Sequence, residues 1–330
     1  MQTFKRIRPQ IFPAQPTLTA GNLPPQSGRV VIITGATSGL GLELARILYA
    51  AGATVYMGAR NEAKANDVIH TIITTTTAPS PGKLISLPLD LSDLRTIQPF
   101  VTAFLAASPR LDLLFNNAGV ACIPLNEPTA QGLEPHLGTN CAAPYLLTTL
   151  LAPILTTTAQ NPSTPPNSVR VIWTSSMVVD FLAPTGGVPP IELTTPNTDP
   201  NHNYAVSKVG NWFLAAHMAK SLGEKGVVSL TQNPGNIYTP IYDRAPRWSV
   251  WMSKPVFYTP QEGVNTLLWA GFDEGITVED GGRYGIPFGR WHPAPREDLV
   301  EAMREGGTGE AEGLVRWCEG VTREFVRMEA

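Results

Sequence analysis

Between the run Val30-Val31-Ile32-Ile33 and the stretch Leu42-Glu43-Leu44-Ala45-Arg46-Ile47-Leu48-Tyr49, the chain reads Thr34-Gly35-Ala36-Thr37-Ser38-Gly39-Leu40-Gly41. The β-branched run predicts a strand buried on both faces, and the segment after the turn has helical character. Glycines in such a turn let the backbone approach a pyrophosphate closely, and the helix that follows offers unpaired N–H donors at its positive end. Glycine clusters also make ordinary turns. Here the cluster lies between a first strand and a helix, which is the context that dinucleotide binding requires. The spacing Gly35-x3-Gly39-x-Gly41 differs from the more common G-x-G-x-x-G.

The alternation continues along the chain. Strands are predicted at 54–57, 84–89, 111–115, 169–174 and 227–230, and helices at 93–107, 137–155 and 204–222. Repeated β-α-β units with short buried strands predict an α/β fold: a doubly wound, open parallel sheet with helices on both faces. Residues 1–28 hold five prolines and no sustained periodicity, and are read as an arm lying on a single domain spanning 29–330. Thr/Pro-rich segments at 70–81 and 156–167 predict exposed loops, and the Pro-rich 178–203 a long irregular excursion. Leu314, Trp317, Cys318, Val321 and Phe325 recur at helical spacing, which predicts a docked terminal helix.

Composition narrows the function classes. A hydrophobic share of 43%, a charged share of 15% and a net charge of −3 exclude a chain disordered throughout, and also the electrostatic footprint of a nucleic-acid binder. Cys122, Cys141 and Cys318 are too few and too scattered for a disulfide framework, and no Cys/His spacing suggests a metal. Reduced thiols point to a cytoplasmic protein. The longest apolar stretch, 145–155, is about half a membrane span, so no integral membrane segment is expected, although peripheral contact stays open. His202 and His217 are read as structural, hydrogen-bonded residues.

Two further patterns carry chemistry. After the second strand, where a carboxylate would hold a ribose 2′-OH, the chain reads Gly58-Ala59-Arg60; Arg60 can pair with a 2′-phosphate, so NADP(H) is preferred over NAD(H). The alternative is a solvated arginine at a strand end. Tyr204-Ala205-Val206-Ser207-Lys208 sets a phenol and an ammonium at i and i+4, on one helix face. A nearby cation favours phenolate and fits the tyrosine for acid–base work near neutrality. Taken alone, that spacing says little.

It occurs in order with Thr34–Gly41, Asn116-Asn117-Ala118-Gly119, Ser175-Ser176 and Pro234-Gly235-Asn236-Ile237-Tyr238-Thr239. Over about residues 29–239 the chain resembles the short-chain dehydrogenase/reductase family, and its flanks are similar to fungal light-induced alcohol dehydrogenase-type and retinol-dehydrogenase-like members. The resemblance implies a tetrad of Asn140, Ser176, Tyr204 and Lys208. Tyr204 would carry the proton, Ser176 orient the substrate oxygen, Lys208 hold the nicotinamide ribose, and Asn140 kink its helix and hold a relay water. It also implies cofactor contacts from Thr34, Gly35, Ser38, Gly39 and Leu40 to the phosphates, from Asp90 and Leu91 to adenine, and from Asn116, Ala118 and Gly119 along the groove. Pro234, Gly235, Ile237 and Thr239 would hold the carboxamide, with Tyr204 and Lys208 touching the cofactor as well. Two departures stand out: Ser176 and Tyr204 are widely separated by the Pro-rich excursion, and Pro144 follows Asn140 closely.

The family's substrate lid would fall on 247–258, where Trp248, Trp251, Phe257 and Tyr258 suit a bulky lipophilic or aromatic secondary or allylic alcohol and its carbonyl, or else serve packing. The expected activity is an NADP(H)-dependent oxidoreductase working as a carbonyl reductase. The alternatives are a non-catalytic NADP(H)-binding sensor or scaffold, and an epimerase or dehydratase on the same fold. A small-molecule substrate is the expected partner, with a homodimer through the Tyr204 helix unless the long tail covers that face.

Overall fold

The computed structural model describes residues 2–238 and 257–326. Eight strands form one sheet in the order β3-β2-β1-β4-β5-β6-β7-β8. They are β1 (Val30–Thr34), β2 (Thr54–Ala59), β3 (Lys83–Pro88), β4 (Leu113–Asn116), β5 (Val169–Thr174), β6 (Val227–Gln232), β7 (Tyr284–Ile286) and β8 (Arg290–Trp291). Pairing is parallel from β3 through β7, in the register Val31↔Val55 and Val31↔Leu113 around β1. All five residues of β1 are buried, as a β-branched strand covered on both faces must be. The strand order reverses between β1 and β4, so the crevice beyond their C-terminal ends is the topological switch point of the sheet.

Two apolar layers flank the sheet. On one face, α4 (Ile97–Ala107), α5 (Pro135–Ala159) and α7 (Pro200–Gly223) bury Phe100, Phe104, Leu146 and Phe213 against Trp173. On the other, α2 (Gly39–Ala50) and α8 (Pro260–Phe272) bury Leu44, Leu48, Leu267 and Leu268 against Ile33 and Leu230. Helix α5 is long and apolar enough to cross a membrane, but 72% of its apolar window is buried inside the fold. After α9 (Glu297–Met303), the terminal helix α10 (Glu310–Thr322) packs on α5 and α7 through Leu314 and Cys318, so it covers the face expected to carry a homodimer contact.

Several expectations change. The segment 70–81 is not all loop: α3 (Glu62–Thr75) runs through its first half, where Thr71, Thr74 and Thr75 donate their hydroxyls back to carbonyls one turn earlier. Likewise 156–159 completes α5. The excursion 178–203 contains the short α6 (Val178–Phe181), a 3-10 turn at Pro190–Leu193 and the start of α7, capped by Asp199. Residues 1–28 are not all irregular, since α1 (Gln2–Ile11) docks on the domain. Strands β7 and β8 escaped the sequence reading because three and two residues show no period. β8 is antiparallel, turning back through Phe288 and Gly289, both at positive φ. The break expected near Pro144 is a π-turn at Gly138–Ala142, after which the helix continues. The aromatic positions 248 and 251, like Thr239, lie outside the described residues.

Candidate active site

A cleft of about 540 Å³ opens at the switch point. Its floor is the glycine-rich turn. Gly35 and Gly39 have φ of +68° and +55°, in the region that side chains disfavour. A Cβ at Gly41 would sit 2.4 Å from the Gly35 carbonyl oxygen and 2.7 Å from Asn117 Nδ2, so only glycine fits where α2 closes on the turn. Ser38 takes the N-cap position of α2 without a side-chain hydrogen bond to the first turn. The positive end of that helix therefore faces the cleft with no side-chain cap.

Thr34 stitches the floor together. Its Oγ1 accepts from the backbone N–H groups of Asn117 and Ala118, both at 3.0 Å, and donates to the Phe115 carbonyl. Of the two asparagines that follow β4, Asn117 lines the cleft and donates Nδ2 to the Thr34 carbonyl at 3.0 Å. Asn116, expected along the groove, does not line it. Its side chain turns into the core, where Nδ2 donates to Thr148 Oγ1 of α5 at 2.9 Å. Asp90 lines the cleft with Oδ1 held by the N–H and hydroxyl of Ser92, and Leu91 is beside it.

At the far end stand Ser176, Tyr204 and Lys208, with Gly119, Pro234, Gly235 and Ile237 around them. Lys208 is buried, and its Nζ donates to the Thr174 carbonyl at 3.0 Å and to Asn211 Oδ1 at 3.3 Å. Burial pulls its pKa down to about 8. Nζ lies 5.7 Å from the centre of the Tyr204 ring, so the pair one turn apart on α7 shares the cleft. The His136 and Tyr204 rings meet edge to face with centroids 6.1 Å apart, and Glu134 holds His136 Nδ1 at 2.6 Å.

The serine pair divides its tasks. Ser175 is buried and donates to the Lys208 carbonyl at 2.7 Å, whereas Ser176 is only half-buried. Tyr284 of β7, missed in the sequence, donates its hydroxyl to the Ser176 carbonyl at 2.9 Å and fixes the strand end; burial holds this phenol well above its usual pKa.

Asn140 does not line the cleft. Its side chain pins Val120 through both backbone groups, at 2.8 and 3.0 Å, and donates to Ser207 Oγ at 2.9 Å. Its carbonyl accepts from Asn211 Nδ2 at 2.5 Å, so Asn211, a residue the spacing did not single out, joins the Asn140 turn to Lys208. His202 is paired with Glu192 at 2.9 Å, in keeping with a structural role.

Arg60 is exposed at the end of β2 and lines the cleft, and so does Lys64, one turn into α3. The residue directly after β2 is Arg60 rather than a carboxylate. A backbone cradle that tolerates only glycine, an uncapped helix N-terminus, two cations at one end and a buried ammonium at the other fit a nicotinamide dinucleotide. Among the described residues there is no cluster of side chains suited to a metal.

Comparison with known proteins agrees. The family model described as short chain dehydrogenase matches residues 29–183. A short-chain dehydrogenase/reductase of Pestalotiopsis fici is 39% identical over 99% of this chain and 100% of its own length. Human retinol dehydrogenase 11 is 31% identical over 84% of this chain and 83% of its own. A crystal structure of a Mycobacterium paratuberculosis protein superposes with a TM-score of 0.67 at 26% identity, covering 93% of this chain and 97% of the other. Glycine turn, phenol–ammonium pair and full-length similarity place the chain in the short-chain dehydrogenase/reductase family of nicotinamide-dependent oxidoreductases.

Proposed function

We propose that this chain is an NADP(H)-dependent carbonyl reductase that interconverts a bulky lipophilic or aromatic ketone or aldehyde with its secondary or allylic alcohol. The observation that carries the reading is the Tyr204–Lys208 pair: a phenol at the cleft with a buried ammonium 5.7 Å from its ring. The preference for NADP(H) is supported by Arg60 and Lys64 at the cleft, with Arg60 in place of a carboxylate directly after β2. Similarity to an enzyme named for retinol, and the Tyr238 and Phe257 rings packed edge to face at 5.6 Å beside the cleft residue Ile237, support a lipophilic substrate. Three free thiols fit the reducing cytoplasm.

A bound NADPH, held by the glycine turn, Arg60 and the Pro234–Ile237 segment that line the cleft, would supply the hydride for the carbonyl carbon. Tyr204 gives its phenolic proton to the carbonyl oxygen, so that the alcohol leaves neutral. The Ser176 hydroxyl donates to the same oxygen and orients it. Lys208, held by the Thr174 carbonyl and Asn211, stabilises the phenolate that remains until a proton returns. The Asn140 turn, fixed by Val120, Ser207 and Asn211, keeps Lys208 from retreating into the core. The test is Tyr204→Phe with a panel of aryl aldehydes and ketones: turnover should vanish while NADPH affinity stays within about twofold. Undiminished turnover would overturn the mechanism.

A further inference from the structure

The N-terminal helix α1 precedes the segment matched by the family model, yet one of its side chains bonds to residues that adjoin the cleft lining. Gln10 is buried, with every polar group of its amide in use. Its Nε2 donates to Asp180 Oδ2 at 2.7 Å and to the Arg6 carbonyl at 3.0 Å, while its Oε1 accepts from Asn233 Nδ2 at 2.8 Å. Its Nε2 also lies 3.2 Å from His292 Nε2, and Asp180 and Asn233, which do not line the cleft themselves, adjoin different segments that do. Asp180 lies in the turn that follows Ser176, where Val179 N–H donates to the Ser176 carbonyl. Asn233 is fully buried at the end of β6, and its Oδ1 accepts from the N–H of Gly235 at 3.0 Å. Pro234, Gly235 and Ile237 line the cleft directly after it.

We propose that Gln10 is a positioning residue that holds the 233–237 loop against the Ser176 turn and so sets the nicotinamide end of the site. The role rests on the reading given above for Ser176 and that loop. The two ends of the bridge are unequal. Asp180 keeps other donors when the Gln10 amide is removed. The Ala294 N–H occupies His292 Nδ1, so His292 Nε2 carries the hydrogen and donates to Asp180 Oδ2 at 3.1 Å; Arg6 stands 3.5 Å away. Among the described residues, the Gln10 carbonyl is the acceptor recorded for Asn233 Nδ2. A buried donor left unpaired pulls on the same side chain that shapes the Gly235 turn. Gly235 has a φ of +102°, so its turn depends on such bonds rather than on backbone preference. Helix α1 is also tied to the same loop through Tyr258, which donates its hydroxyl to the Ile11 carbonyl at 2.8 Å and its backbone N–H to the Asn236 carbonyl.

The effect falls on one half of the dinucleotide. The adenine half would rest on the glycine turn, Asp90 and Arg60, none of which is a recorded partner of Gln10, whereas the nicotinamide half would rest on the 233–237 loop. The experiment uses full-length Gln10→Met, which keeps the length of the side chain but loses the amide, and Gln10→Asn, which keeps the amide but is too short to reach both partners. Calorimetric affinities for NADP⁺ and for the fragment lacking nicotinamide, 2′-phospho-ADP-ribose, are compared with wild type, with thermal melting as the check on folding. Both variants should lose about tenfold in NADP⁺ affinity and keep the fragment affinity. Amide hydrogen exchange in 233–238 should speed up while the glycine turn at 34–41 is unchanged, a readout that holds even for a variant of lowered stability. Unchanged NADP⁺ affinity and exchange in both variants would overturn the positioning role, as would equal losses for NADP⁺ and the fragment. A wild-type chain that binds neither would instead overturn the reading on which it rests.

Discussion

Lys208 makes the electrostatics of the site measurable without substrate. Burial lowers its pKa from 10.5 to about 8. That difference corresponds to about 3 kcal/mol by which the folded state disfavours the ammonium relative to the unfolded chain. Below pH of about 8 both states hold the proton and this penalty is present in full. Between about 8 and 10.5 the folded protein has released a proton that the unfolded chain still binds, so stability rises with pH by up to about 1.4 kcal/mol per unit. Lys208→Met removes the titration. It also strips a donor from the Thr174 carbonyl and Asn211 Oδ1, but that loss does not vary with pH. Urea unfolding of the cofactor-free proteins from pH 7 to 9.5 should therefore show wild type gaining about 2 kcal/mol on the variant, nearly all of it above pH 8. Titrating groups that do not interact with Lys208 cancel in the difference. Parallel curves would mean that Lys208 is solvated in the empty cleft and that the burial argument is wrong.

Gly41→Ala places a Cβ 2.4 Å from the Gly35 carbonyl and should both weaken NADPH binding and lower unfolding stability by about 1–3 kcal/mol, read by calorimetry and urea titration. Arg60→Ala should weaken NADPH by about tenfold while leaving NADH almost unchanged, and Lys64→Ala on top of it should deepen the loss; equal losses for both cofactors would remove the 2′-phosphate role. Leu314, fully buried where α10 meets Gly210 of α7, should lose about 2–5 kcal/mol as Leu314→Ala. Thr259→Ala breaks the capping box with Glu262 at the start of α8 and should lower stability by about 1 kcal/mol, seen as a drop in urea midpoint.

What the sequence determined by itself is the local part. A β-branched run, three glycines and a helix are contiguous, so the glycine turn follows from neighbours alone. Tyr204 and Lys208 share a helix face because 3.6 residues make a turn. Tertiary structure decided which of two like residues faces the cleft. Asn117 lines it, and Asn116 is spent on Thr148 some thirty residues away on α5. Ser175 holds the Lys208 carbonyl and Ser176 is left half-exposed. Asn211, Tyr284 and Gln10 carry no local signal at all, because each acts across contacts between elements far apart in the chain. Strands of two and three residues are equally silent, since their edges are defined by the strand they pair with. Periodicity and turn chemistry are properties of adjacent residues; the choice of partner is settled only when the sheet closes and burial leaves each polar group one place to bond.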